Sequence, residues 1–107
     1  MASKSPTQLT LAKLQKEKYP LVQIVEKWNS WGRVRQDLFG FIDVLAIDEE
    51  GNTVAIQTTT LTNTGARIKK ISDSDNVGHV RKAGWKILVH GWYKKNNRWH
   101  VKEVDVS

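Results

Sequence analysis

The chain has 107 residues, a formal net charge of +6 and no cysteine. That length suits one domain with a modest core, and the missing cysteine excludes disulfides, thiolate metal sites and cysteine nucleophiles. The positive balance attracts polyanions, nucleic acid first among them, although a basic domain without such a partner carries the same sum.

Ser5-Pro6-Thr7-Gln8 opens a helix, with Ser5 as N-cap, Pro6 at the first helical position and Gln8 completing a capping box. Leu9, Leu11, Ala12 and Leu14 supply its apolar stripe, and fraying is expected near Lys18, ahead of Tyr19-Pro20. Leu21 to Trp28 reads as a strand and Asn29-Ser30-Trp31-Gly32 as a loop. Gly40 to Ile47 and Thr53 to Thr60 read as two further strands, joined in a hairpin by Asp48-Glu49-Glu50-Gly51-Asn52. Thr64 to Ile71 reads as a helix, broken at Ser72–Asn76, with a second helical piece running to Ala83. Trp85 to Tyr93 and Arg98 to Val106 form a second hairpin across Lys94–Asn97, with Trp92 and Trp99 as cross-strand neighbours. The expected fold class is α/β, one domain in the order α-β-β-β-α-β-β, with a central mixed sheet flanked by helices.

A hairpin centred on Glu50 sets Asp43 opposite Gln57. Period-two alternation then gives one face Ile42, Val44, Ala46, Val54 and Ile56, and the other Phe41, Asp43, Leu45, Ile47, Ala55, Gln57 and Thr59. Both faces are mostly apolar, so the hairpin is central and covered on both sides. A half-buried carboxylate there needs a partner. Asp43 either pairs with Arg35 or Lys70 and fixes the fold, or joins the Gln57 amide oxygen in holding a hard cation.

Asp43-Val44-Leu45-Ala46-Ile47 followed by Val54-Ala55-Ile56-Gln57-Thr58-Thr59 resembles the core of the PD-(D/E)XK nuclease superfamily. Thr7-Gln8, Glu26 to Asn29 and Arg35 to Asp43 are similar to small phage-type, Holliday junction resolvase-like members. The resemblance covers nearly the whole chain. It implies a restriction-endonuclease-like core and a metal-dependent phosphodiesterase site using Mg²⁺ or Mn²⁺. Carried over, Asp43 is the metal-binding aspartate, Gln57 stands for the acidic residue of the next strand, and the Thr58 carbonyl is a further ligand. Gln8 falls where some relatives place a helix-borne Glu, although it is equally half of a capping box. The pattern's Lys is Thr59 here, which carries no charge. Arg67 and Lys70, three apart on one helix face, are the candidates to replace it. Asp37 is an expected ligand close to the site. Glu26 and Arg35 are possible accessories, and each also reads as an ordinary surface charge.

From Arg67 to Asp105 stand ten basic residues against four acidic ones, Asp73, Asp75, Glu103 and Asp105. Lys94, Lys95 and Arg98 on a hairpin tip, with Lys69, suit phosphate contacts that position DNA without reading sequence. The other reading of that tip is an edge hairpin kept soluble by its lysines. Trp31, in a polar loop, suits base stacking or an interface. His79, His90 and His100 show no ligand spacing and read as surface or strand residues.

No segment offers the roughly 20 apolar residues of a membrane span, and Met1 to Pro6 lacks the apolar centre of a secretory signal. The expectation is a cytoplasmic, DNA-directed endonuclease with no membrane partner, acting on branched or structured DNA as a homodimer. The alternatives are a non-catalytic DNA-binding relative, favoured by Thr59, and a dimeric assembly module built on the tryptophans.

Overall fold

A computed structural model describes residues 4–107. The order is α1 (Pro6–Lys16), β1 (Leu21–Ile24), β2 (Lys27–Asn29), β3 (Val34–Gln36), β4 (Val44–Ile47), β5 (Thr53–Thr60), a 3-10 turn (Leu61–Asn63), α2 (Thr64–Ser72), α3 (Val77–Lys82), β6 (Lys86–Lys95) and β7 (Arg98–Asp105). Five strands form one mixed sheet, ordered β1-β4-β5-β6-β7, while β2 and β3 make a separate two-stranded ribbon. The pairings are antiparallel except β5 with β6, which is parallel and bridged by α2 and α3. The chain is a single α/β domain, and among the described residues no helix is long and apolar enough to cross a membrane.

The β4–β5 register is the one the sequence dictates: Val44 faces Ile56 and Ile47 faces Thr53. The turn explains why. The Asp48 carboxylate accepts from the backbone N–H of Glu50 and Asn52 at 3.0 and 2.8 Å, and Gly51 takes φ +85°, which glycine adopts without a side-chain penalty. The β6–β7 turn is tighter than Lys94–Asn97. Asn96 and Asn97 both have positive φ, 53° and 59°, as a two-residue hairpin turn matched to strand twist requires. Lys94 and Lys95 are therefore strand residues. Trp92 lies opposite Val101, and Trp99 opposite Lys94, so the two tryptophans are not direct neighbours.

The sheet is buried on both faces. Leu14 of α1 packs on Val44, Ala46, Val54, Ile56 and Leu88. On the other face Ile71, Val77 and Val80 of α2 and α3 cover Phe41, Ile42, Ala55, Ile87 and Val89. Ile42 thus leaves the face assigned by alternation, because Leu38 and Ile42 close a tight reversal before β4 begins. The buried stripe of α1 also differs from its apolar stripe: Thr7, Leu9, Thr10 and Leu14 face inward, while Ala12 is exposed.

Leu21 to Trp28 is not one strand. β1 ends at Ile24, and Trp28 belongs to the ribbon. The chain crosses over at Val25, whose N–H still donates to the Asp43 carbonyl at 2.8 Å.

Gly91 in β6 is where the turn before α2 meets the sheet. A Cβ there would lie 2.1 Å from Thr64 Oγ1 and 3.3 Å from the Leu61 Cα. Gly91→Ala is expected to lower stability by about 1–3 kcal/mol, the usual cost of overpacking, read from the urea midpoint. An unchanged midpoint would show that this turn is free to lift away.

Candidate metal and phosphate site

The reversal at Leu38–Ile42 builds the site. Leu38 and Ile42 exchange backbone hydrogen bonds of 2.9 and 3.0 Å, so the next pair outward, Asp37 and Asp43, is brought side by side. Glu26 follows the crossover at Val25 beside them. Carboxylate oxygens of Glu26, Asp37 and Asp43 lie within 4.8 Å of one another.

Asp43 is 3% exposed. Its Oδ2 accepts from Gln57 Nε2 at 2.6 Å, the Thr58 N–H at 2.8 Å and the Thr58 hydroxyl at 3.2 Å. Thr7 on α1 closes the set with a 2.8 Å bond to the Thr58 hydroxyl. The expected alternatives for Asp43, ion pairs to Arg35 or Lys70, are not formed. Arg35 instead pairs with Glu26 at 2.8 Å and Lys70 with Asp37 at 3.3 Å.

Burial and the adjoining Asp37 carboxyl push Asp43 up to about 8, against the pull of the Thr58 N–H. Three hydrogen-bond donors favour the anion here, while the low-dielectric surroundings and two acidic neighbours oppose it. A cation at the same spot removes that conflict.

A second observation points to the same place. Gln57 is 2% exposed, and its carboxamide oxygen is buried without a hydrogen-bond partner. Its nitrogen is already committed to Asp43, and the residue lines the same cleft as the three acids. Leaving such an atom unsatisfied costs about 1–3 kcal/mol. Oxygen donors from three carboxylates and one amide are the set that Mg²⁺ or Mn²⁺ prefers.

These groups line an open cleft of about 460 Å³, together with Ser5, Thr7, Arg35, Thr58, Thr59, Asn63, Arg67 and Lys70. Arg67 and Lys70 enter from α2, as their spacing predicts. Thr58 supplies its N–H and hydroxyl to Asp43, both donors. Thr59 is buried in the cleft wall and brings no charge.

Other expected residues lie elsewhere. Gln8 is exposed, its backbone N–H donates to the N-cap Ser5 Oγ at 3.2 Å, and it does not line the cleft. Lys69 points outward and pairs with Asp73 at 2.8 Å. Trp31 is 97% exposed, at the ribbon turn. Lys94, Lys95 and Arg98 sit on the β6–β7 tip, which runs three residues past the Trp92–Thr60 pair. That places them about 10 Å beyond the cleft-bearing end of β5, at 3.3 Å per residue.

Thr7 and Asn63 are site residues that sequence reasoning passed over. Thr7 had a signal, since Thr7, Thr10 and Leu14 share a helix face. Asn63 had none.

The chain matches no family model, no curated protein and no solved structure. Geometry and chemistry carry the functional reading.

Because the folded value of Asp43 exceeds the unfolded 3.8, its contribution to stability is complete below about pH 4 and is lost as pH rises to about 8. The metal-free protein is expected to lose stability over that window. Asp43→Asn, which stays neutral and keeps an acceptor for Gln57 and Thr58, should flatten the decline and gain on the order of 2 kcal/mol at pH 8. Mn²⁺ should raise the melting temperature of the wild type more than that of the variant. Parallel stability curves for the two proteins would refute the assignment.

Proposed function

We propose that the chain is a divalent-metal-dependent DNA endonuclease of the PD-(D/E)XK type. The observation that carries the reading is the cluster of Glu26, Asp37 and Asp43, with an unsatisfied amide oxygen on Gln57, the residue bonded to Asp43, and with Arg67 and Lys70 of α2 lining the same cleft. Asp43, Asp37, Glu26 and the Gln57 oxygen are the groups to hold Mg²⁺ or Mn²⁺, with the Thr58 carbonyl as a further candidate. A bound divalent ion supplies Lewis acidity and lowers the pKa of a coordinated water.

The protein's own groups do the rest. Gln57 Nε2 and the Thr58 N–H fix the Asp43 carboxylate, so its orientation is set before substrate arrives. Arg67 forms no ion pair among the described residues. It is the cation free to meet a phosphate oxygen. Lys70, now held by Asp37, is released toward phosphate when Asp37 takes another positive partner. Together they supply the charge stabilisation that Thr59 lacks. Lys94, Lys95 and Arg98 extend the positive surface along the DNA backbone.

A second reading has one observation behind it. Thr59 occupies the strand position of the pattern's Lys, buried and uncharged, as a non-catalytic DNA-binding relative would allow.

Nicking of supercoiled plasmid and cutting of flapped and four-way DNA in Mn²⁺ decide between the two. The wild type is expected to cleave and Asp43→Ala to lose cleavage. Lys70→Ala and Arg67→Ala should each lose roughly a hundredfold, the scale for removing one transition-state charge partner. DNA binding that persists in chelator with no cleavage of any form would favour the non-catalytic reading.

A further inference from the structure

A second groove, of about 370 Å³, runs beside the carboxylate cleft, between the first turn of α1 and the β2–β3 ribbon. The two share Ser5, Thr7, Glu26 and Arg35 in their walls, so they are continuous. The groove adds Trp28, Lys27 and Gln8. Trp28 is 63% exposed and lies directly opposite Arg35 across the ribbon, so indole and guanidinium stand on one face.

The ribbon itself calls for a partner. Two strands alone are marginally stable in water, and this pair leaves Trp28, Trp31 and Val34 exposed. From Lys27 to Gln36 it carries Lys27, Arg33 and Arg35 and no acidic residue. A second copy docking through the same basic surface would set like charges against each other. A polyanion with flat apolar faces satisfies both the charge and the indole.

We infer that this groove is a subsite for one unpaired base of a single DNA strand whose backbone continues into the carboxylate cleft. Trp28 stacks on the base and Lys27 meets the flanking phosphate, while Arg35, held by Glu26 at 2.8 Å, stands beside the indole. A base within a duplex has no free face to offer, so the site selects gapped, flapped or single-stranded DNA over continuous duplex. The inference takes the location of the scissile phosphate from the nuclease reading. The base subsite itself is tested without cleavage.

The test is fluorescence anisotropy in EDTA, with a labelled oligodeoxythymidine and a duplex of equal length. The wild type is expected to bind the single strand more tightly. Trp28→Ala should weaken single-strand binding roughly five- to a hundredfold, the scale of one base–aromatic stack, with little change on duplex. Trp28→Phe should retain most of the affinity. Lys27→Ala should lower the salt slope by about one counterion. An unchanged single-strand affinity in a folded Trp28→Ala protein, or equal losses on both DNA forms, would overturn the subsite. So would sedimentation showing that Trp28→Ala splits a dimer without altering DNA affinity, because the ribbon would then be a contact between copies. Because no metal is present, failure of the cleavage assays leaves this result standing, and failure here leaves the metal site standing.

Discussion

One oxygen organises this protein's polar centre. Asp43 Oδ2 receives Gln57 Nε2, the Thr58 N–H and the Thr58 hydroxyl, and through Thr58 it is tied to Thr7 on α1. It sits where the chain leaves the Leu38–Ile42 reversal and enters β4, at the same point where Gln57 and Thr58 pass on β5. A carboxylate in so dry a place is costly unless compensated. The donors compensate it, and burial with Asp37 and Glu26 opposes them. The arrangement is therefore poised between a protonated, cation-free form and an ionised form that suits a cation.

The position of α1 depends on a second buried network. Trp92 Nε1 donates to Thr10 Oγ1 at 2.9 Å, and Thr10 lies 3.0 Å from His90 Nδ1. The Glu103 carboxylate at Nε2 can only accept, so in the neutral ring Nδ1 is the acceptor and the Thr10 hydroxyl donates to it. The ring proton then sits on Nε2, 2.9 Å from Glu103. Burial holds His90 below the ordinary imidazole value, which keeps Nδ1 free to accept. This fully satisfied clamp seats α1 across β6, and so sets Ser5 and Thr7 as a wall of both cleft and groove. The helix that looked like a simple apolar stripe is placed as much by threonines as by leucines.

Much of the site could be read before the fold was known, for local reasons. The Asp48–Asn52 turn carries its own capping chemistry, so the register that sets Asp43 against Gln57 followed from counting outward from Glu50. Helix spacing similarly paired Arg67 with Lys70. The losses came where tertiary contacts override an unbroken local pattern. Leu21 to Trp28 keeps strand-forming residues throughout, yet the chain departs at Val25 to meet Asp43. Ile42 changes face because a five-residue reversal precedes β4. The proximity of Asp37 to Asp43 was expected from topology, whereas its cause, the closed Leu38–Ile42 bridge, leaves no mark in residue type.

The charges around the cleft form a nearly neutral set. Arg35 answers Glu26 and Lys70 answers Asp37. Asp43, pushed up to about 8, is largely uncharged at neutral pH without a cation. Among the described residues Arg67 is then the cation lining the cleft from α2 without an ion-pair partner. A lysine at position 59, where Thr59 is buried, would have brought a cation into a strand already enclosed on both sides. Carrying positive charge on α2 avoids that burial, because Lys70 keeps contact with water and Arg67 reaches the cleft from its rim. The strand thus stays uncharged at Thr59 while α2 brings Arg67 and Lys70 to the same cleft.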